Sequence, residues 1–338
     1  MTVGPEAVQL GVEYCYEQGW SDGLPLVPVT AEVVERFFSY TRVERDAVVA
    51  LADNIGKSCT AELAAVNAAM AGCRPEYFPV VLAALEALGH DKLGSGAGWQ
   101  STSSPAPFIV VNGEIRRKVG LNSDGGAFSP GFRANATIPR AIGLIVRNAL
   151  GIRPQILDQS TQGVPGRWSL CVGESEEESP FEPLSVERGL AQDESAVSIA
   201  FARTSEFVDN RVARTADELL LDFADTISRT GAHLAARGSC ALVLGLEHAH
   251  LLASGGFTKQ SVKEWLVEHC VRSPKDFERV GKGGFLDRAE FDQHGNVRLL
   301  QTQQAVQVVV VGAGNAAMSL VVRLMGGWSD VSCPVVEL

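Results

Sequence analysis

Three times along this chain a near-continuous run of β-branched and apolar residues ends at a glycine and leads into residues patterned as a helix. The units are FIVVNG followed by EIRRKVG, CALVLG followed by LEHAHLLASGG, and VQVVVVG followed by AGNAAMSLVVRLMGG. A run without polar alternation fits a strand covered on both faces, as in a sheet with helices packed on either side. The repetition predicts an α/β fold: a mixed, largely parallel sheet covered by helices, with right-handed crossovers between parallel strands. In such sheets ligands sit beyond the carboxyl ends of the strands, where the glycine turns lie.

The remaining segments fit that class. Residues 6–20 are patterned as an amphipathic helix, SDGLPLVPVT as an extended Pro/Gly segment, and Thr30 as the N-cap of a helix over TAEVVERFFSYT. Segments 58–72 and 76–89 are Ala/Leu-rich helices, apolar around much of their circumference and therefore buried; Gly72 ends the first and Pro75 opens the second. Residues 167–173 and 195–202 read as strands, and TADELLLDFADTISRTG as an amphipathic helix. At 338 residues the chain is long enough for one large or two moderate domains. The acidic, proline-containing stretch 174–187 is the best boundary between a helical and α/β part, 1–173, and an α/β part, 174–338, unless the two form one intertwined domain.

Charge and cysteine usage narrow the functions. A net charge of −11 argues against nucleic acid and anionic membrane as partners. No window of 18 apolar residues exists, the N-terminus lacks a secretory pattern, and PVVEL is no lipidation box. The seven cysteines are scattered, with no C-x-x-C and no zinc-finger spacing, which reads as free thiols in a reducing cytoplasm and no metal site.

The most informative stretch is NSDGGAFSPGFRANATIPR, residues 122–140. Its glycines permit close backbone approach to a ligand, and Asn122, Ser123, Arg133, Asn135 and Thr137 offer polar groups. Arg133 and Arg140 can grip a carboxylate or phosphate with two prongs, and Thr137 is placed to start a helix whose free N–H groups favour an anion. The same letters fit a capped surface loop with two solvated arginines.

Cys73, between two buried helices and beside Arg74, is either a thiolate nucleophile of lowered pKa or an inert buried thiol. His248, in the first turn after a strand, is placed to stay neutral and act as base or donor, or simply to be a satisfied polar residue. In the acidic run Glu174, Glu176 and Glu177 read as solvated, while Glu178 and Glu182 stand beside Pro180, Phe181 and Pro183 and are retained as acid or ligand candidates. The C-terminal VVVVGAGNAA imitates a dinucleotide turn, with Gly312, Gly314, Ala317 and the distal Glu337, but the sequence ends before the further strands such a domain needs, which disfavours NAD or FAD. Cys240, after Arg237-Gly238-Ser239, reads as the first core residue of a strand.

Several longer blocks are WSDGLPLVPVT, AVNAAMAGCRPEYFPVVLAALEAL, VVNGEIRRKVGLNSDGGAFSPGFRANATIPRA, ESEEESPFEPLSVERG and LVLGLEHAHLLASGGFTKQSVKEWL. They resemble a poorly characterised bacterial family whose members look like partners of small thiol or selenol proteins named for a U-G-S-C motif. The resemblance runs from about Trp20 to the C-terminal strand and places Cys73, Arg74, Glu76, Asn112, Arg133, Asn135, Thr137, Glu178, Glu182 and His248 in the motif blocks. The chain departs from that pattern at Leu246, where it implies Pro, and over Gly312–Met318, where it implies a Gly-Gly-Pro-Gly-Lys-His-like turn. The Arg-Gly-Ser-Cys here matches the family motif in three letters only.

The expectation from these features is a lyase- or hydratase-like enzyme adding to or eliminating from a small carboxylate-bearing substrate. Arg133, with Arg140 or Arg74, would bind the anion, Cys73 or His248 would serve as nucleophile or base, and Glu178 as acid. Asn112, Asn122, Ser123, Asn135, Thr137 and Glu182 complete the candidate set. A partner subunit presenting substrate to a thiol or selenol protein and a nucleotide-dependent oxidoreductase are the alternatives, with a homo-oligomer expected in any case.

Overall fold

The computed structural model describes residues 4–90, 98–233, 235–326 and 332–337. Its helices are α1 Pro5–Glu17, α2 Ala31–Phe38, α3 Ala61–Ala71, α4 Phe78–His90, α5 Ile115–Lys118, α6 Arg133–Asn148, α7 Leu184–Glu187, α8 Ala216–Ser228, α9 Leu246–Ser254, α10 Lys259–His269 and α11 Pro274–Arg279. Its strands are β1 Val48–Ala52, β2 Lys57–Thr60, β3 Ala106–Asn112, β4 Cys171–Gly173, β5 Ala196–Asp209, β6 Cys240–Leu244, β7 Val271–Arg272, β8 Glu290–Phe291, β9 Val297–Arg298, β10 Val306–Val310, β11 Met318–Leu324 and β12 Cys333–Pro334.

One seven-stranded sheet runs in the order β10-β6-β11-β5-β3-β4, with β12 paired to β5. The α/β class is as the sequence implies, but the mixed sheet is mostly antiparallel rather than largely parallel, because the long β5 and β11 run against their neighbours. Parallel pairing is confined to β3 with β4 and β6 with β10, while β5 and β11 run antiparallel to their neighbours. β3 and β4 come from before residue 174 and the other strands from after it, so both parts share the sheet.

Strand alternation sorts the side chains into three packs. One side of the strands carries Ala106, Phe108, Val110, Ala200, Ala202, Ala241, Val243, Val309 and Val322, which form a single cluster of mostly small residues. The opposite side splits. Ile109, Val111, Ile199 and Phe201 pack with α3, α4 and α6, and Leu242, Leu244, Val308 and Val321 pack with α8, α9 and α10. Burial on both faces is why the strands read as unbroken apolar runs. Small residues on the shared face let the sheet curl tightly until its edges meet. There the Ser175 N–H donates to Val310 O at 2.8 Å, and the Gly312 N–H to Ser123 O at 2.9 Å.

Two local readings of the sequence are corrected. Residues 318–324, expected in a helix after the third glycine turn, form β11 and fill the slot between β5 and β6. Val321 and Val322 suit either state, and the open hydrogen-bonding edges on both sides decide it. Helix α6 starts at Arg133 behind Phe132, so Thr137 lies in its second turn rather than at its start. The β1–β2 hairpin before α3 was not anticipated. Among the described residues no helix is long and apolar enough to cross a membrane.

Candidate functional site

Most of the polar groups in the 122–140 stretch are committed to the fold. Asn135 is buried; its Oδ1 accepts from the Asn122 N–H at 2.8 Å and its Nδ2 donates to Asn122 O and Cys171 O, each at 3.0 Å. It staples the glycine loop to β4. Asn122 in turn closes its own turn, Nδ2 donating to Gly125 O at 3.0 Å and Oδ1 accepting from the Asp124 N–H at 3.0 Å. Ser123 contributes its carbonyl to Gly312, as above.

The guanidinium grip expected from this stretch is not assembled. Arg140 spends its fork on Asp22, with both contacts at 2.8 Å, and on Pro25 O at 3.0 Å. Arg133 is exposed and holds Gly72 O at 2.8 Å, while exposed Arg74 lies 3.7 Å from Glu76. Thr137 caps back onto Arg133 O at 2.8 Å and offers its carbonyl to the Cys73 thiol at 3.3 Å.

Cys73 is not a poised thiolate. Burial pushes its thiol up to about 12, outweighing the Thr137 contact and the nearby charges of Arg133 and Arg140. Desolvation wins because the residue is 5% exposed and packed in the helical core, whereas a cation across solvent is screened. All seven cysteines are free and buried. We therefore expect a thiol-specific chromogenic reagent to titrate fewer than about one cysteine in the native protein and all seven after denaturation. Rapid native labelling of Cys73, located by peptide mapping, contradicts this account.

In the acidic run Glu177 is exposed as its sequence context implies, but Glu174 and Glu176, also read as solvated, turn inward. Glu178 and Glu182 are exposed. Glu174 is fully buried: Oε2 accepts from Asn112 Nδ2 and from the Leu184 N–H, each at 2.7 Å, and Oε1 lies 3.2 Å from Lys259 Nζ. Lys259 also lies 3.7 Å from Glu187, which pairs with Lys263. Buried Arg116 holds Glu176 and Glu177, each at 2.9 Å, and donates to Glu174 O at 2.6 Å. Asn112, at the end of β3, thus spends its amide Nδ2 on Glu174 and Glu176, while its Oδ1 is buried without a hydrogen-bond partner. This network fastens the chain just beyond β4, next to the place where the sheet edges meet. Sequence reading missed Arg116, Lys259 and Lys263 because charged residues at helical spacing ordinarily mark a solvated face.

Two glycine turns do converge. Residues 125–129 and 311–316 face one another over a cavity of about 280 Å³ at the carboxyl end of β6, walled also by Phe207, Val243, Gly245, Met318 and Ser319. None of its lining residues is charged, and neither Cys73 nor Glu178 reaches it.

Under this cavity lies His248, fully buried. Its Nδ1 is 2.8 Å from Ser319 Oγ and its Nε2 is 3.1 Å from Asn210 O. A carbonyl can only accept, so Nε2 carries the proton and Nδ1 accepts from the Ser319 hydroxyl. Burial holds the imidazole below its ordinary pKa, against the opposing pull of the Asn210 carbonyl and of Asp222, Glu247 and Asp209. The Gly245 N–H donates to the same hydroxyl at 3.2 Å. Only glycine fits at position 245, because a Cβ there would stand 2.2 Å from Met318 O. Ser319 escaped the sequence reading because its segment was assigned to a helix; in a strand it shares a face with Val321, which turns its hydroxyl toward His248 on α9 at the edge of the cavity.

The turn after β10 leads into a strand, so no helix N-terminus is available for a pyrophosphate, and Glu337 pairs with Lys118 at 2.9 Å. The dinucleotide reading loses its geometric basis. Glu86 and His90, one turn apart on α4, and Cys333 on β12 bring donor atoms within 4.8 Å of one another, a set that a zinc-like cation accepts. β12 assembles it across the chain, which spacing along the sequence cannot reveal. Comparison with protein-family models, curated proteins and solved structures finds no match to this chain.

Proposed function

We propose that the chain is a small-molecule enzyme that transfers or hydrolyses an acyl group at the cavity beneath the glycine turns. Ser319 is the nucleophile and His248 its base. The observation that carries this is the pair itself: the hydroxyl of Ser319, a residue that lines the cavity, 2.8 Å from a buried imidazole whose other nitrogen is fixed by a backbone carbonyl. Nucleophilic hydroxyls need an adjacent base oriented by a third group, and these three supply it.

In the reaction, Ser319 Oγ attacks the acyl carbon while its proton moves to His248 Nδ1. The tetrahedral adduct collapses, the leaving group takes that proton from the imidazolium, and acyl-Ser319 remains for water or a second acceptor. The Gly245 N–H, already directed at Oγ, favours developing negative charge on it. The uncharged lining favours a small, largely apolar ester, amide or thioester. Addition to or elimination from a carboxylate-bearing substrate would use the same base. It has no guanidinium in this cavity, with Arg140 on Asp22 and Arg133 on Gly72, so acyl transfer is preferred. Seven free cysteines favour a reducing, cytoplasmic setting.

The test is p-nitrophenyl acetate, small enough for the cavity. Expected are p-nitrophenol release and acetylation mapped to Ser319, abolished in Ser319→Ala and slowed about 10²- to 10⁴-fold in His248→Gln, with both variants still folded by circular dichroism. Wild type that fails to acquire the acetyl group, or a Ser319→Ala variant that releases p-nitrophenol as fast as wild type, overturns the assignment.

A further inference from the structure

At the opposite end of β6 and β11 lies a larger cavity, of about 470 Å³, whose charged lining residues are all arginines. Arg203, Arg237, Arg323 and His233 wall it together with the hydroxyls of Ser239 and Thr302, and no carboxylate is among the described residues that line it. This is unexpected in a chain carrying 40 acidic and 29 basic residues. Guanidinium groups gathered around one space repel one another, and a fold tolerates this where a bound anion offsets it. Glu206, a carboxylate whose charge acts on Arg323, is already paired with Arg229.

Arg323 provides the second observation. It is 5% exposed and is held by the last carbonyls of α8, donating to Ile227 O at 2.6 Å and also to Thr226 O. Its Nε is buried with no hydrogen-bond partner. The outer nitrogens fix this guanidinium in the cavity wall, so its charge is held in place beside whatever occupies the space. Arg237 is exposed, so it stands at the opening, and apolar Leu300, Leu324 and Met325 line the remainder.

We propose that this cavity binds a small organic phosphate, its phosphoryl oxygens on Arg323 and Arg237 and its apolar body along Leu300 and Met325. Three guanidinium groups match a dianion better than a single carboxylate, and the volume falls in the range of small-molecule sites. The site is separate from Ser319, which lies on the wall of the other cavity. It does not depend on the acyl-transfer reading.

Titration calorimetry with phenyl phosphate at low ionic strength tests it, with benzoate as the monocarboxylate counterpart. Expected are one saturable site for phenyl phosphate, at least about tenfold weaker binding in Arg237→Ala, and no detectable binding in Arg323→Met. Arg279→Ala, an exposed arginine outside the cavity lining, and Ser319→Ala are expected to bind as wild type. The Arg237 variant removes an exposed side chain, so the experiment stays decisive even if Arg323→Met fails to fold. Absent binding, wild-type affinity in Arg237→Ala, equal losses in Arg237→Ala and Arg279→Ala, or benzoate binding as tightly as phenyl phosphate overturns the proposal.

Discussion

Lys259→Met is expected to lower the stability of the native protein by about 3–5 kcal/mol, read as a fall in the urea midpoint at unchanged slope. Lys259 is 3% exposed, and Glu174, its partner at 3.2 Å, is fully buried. Removing the ammonium leaves a carboxylate in a low-dielectric site with only neutral donors, the Asn112 amide and the Leu184 N–H. Those bonds do not replace a counter-charge. Lys263 does not substitute for it, because it is taken by Glu187. Glu174→Gln is expected to cost less, since it abolishes the buried negative charge, keeps an acceptor for Leu184 and leaves Lys259 near Glu187 at 3.7 Å. The double variant should recover part of the Lys259→Met loss. A single-variant cost below about 1 kcal/mol would show the pair to be solvated and the network dispensable.

Acidification from pH 7 to pH 4 should remove about 3 kcal/mol of stability through His233 alone. Burial is the main cause holding this imidazole down to about 4 from 6.5, with Arg323, Lys282 and Arg203 adding repulsion and the Ile227 carbonyl opposing. The sign follows from proton uptake. Between pH 6.5 and about 4 the unfolded chain binds a proton at this residue and the folded chain does not, so falling pH favours unfolding. Above 6.5 neither state binds it and the contribution is constant. His248, also held low by burial, acts in the same direction.

The carboxylates act in a lower window. Burial raises the pKa of Asp22, but Arg140 outweighs it and leaves the group low, so its contribution fades only below the ordinary carboxylate value of 3.8. Urea unfolding at several pH values checks this, with His233→Gln expected to flatten the slope between pH 6.5 and about 4. A variant that keeps the full wild-type slope would assign the acid sensitivity elsewhere.

Particular residues show how far the sequence could be read. The runs FIVVN and CALVL gave β3 and β6 because burial on both faces leaves an unbroken apolar signature that local context does not disguise. Helix α8 was equally plain, with Thr215 and Glu218 forming its capping box. The segment MSLVVRL was ambiguous, since its valines suit a strand or a buried helix, and only the vacancy between β5 and β6 made it β11. That one assignment hid Ser319, and with it the partner of His248.

The acidic run failed for a related reason. The chain order of Glu174, Glu176, Glu177, Glu178 and Glu182 carries no information about which one turns inward. Glu174 does so because it follows β4 directly and meets Asn112 and Lys259 there.

The sequence by itself determined the layer composition, the buried strands and the glycine turns, all properties of short segments whose hydrophobic pattern and backbone chemistry are local. Tertiary structure alone decided which turns share a cavity, that Arg140 is consumed by Asp22, that Cys73 is desolvated beyond reactivity, and that Arg203, Arg237 and Arg323 surround one space. Those outcomes depend on distances between segments far apart in the chain and on the dielectric around them, and curling of the sheet sets both.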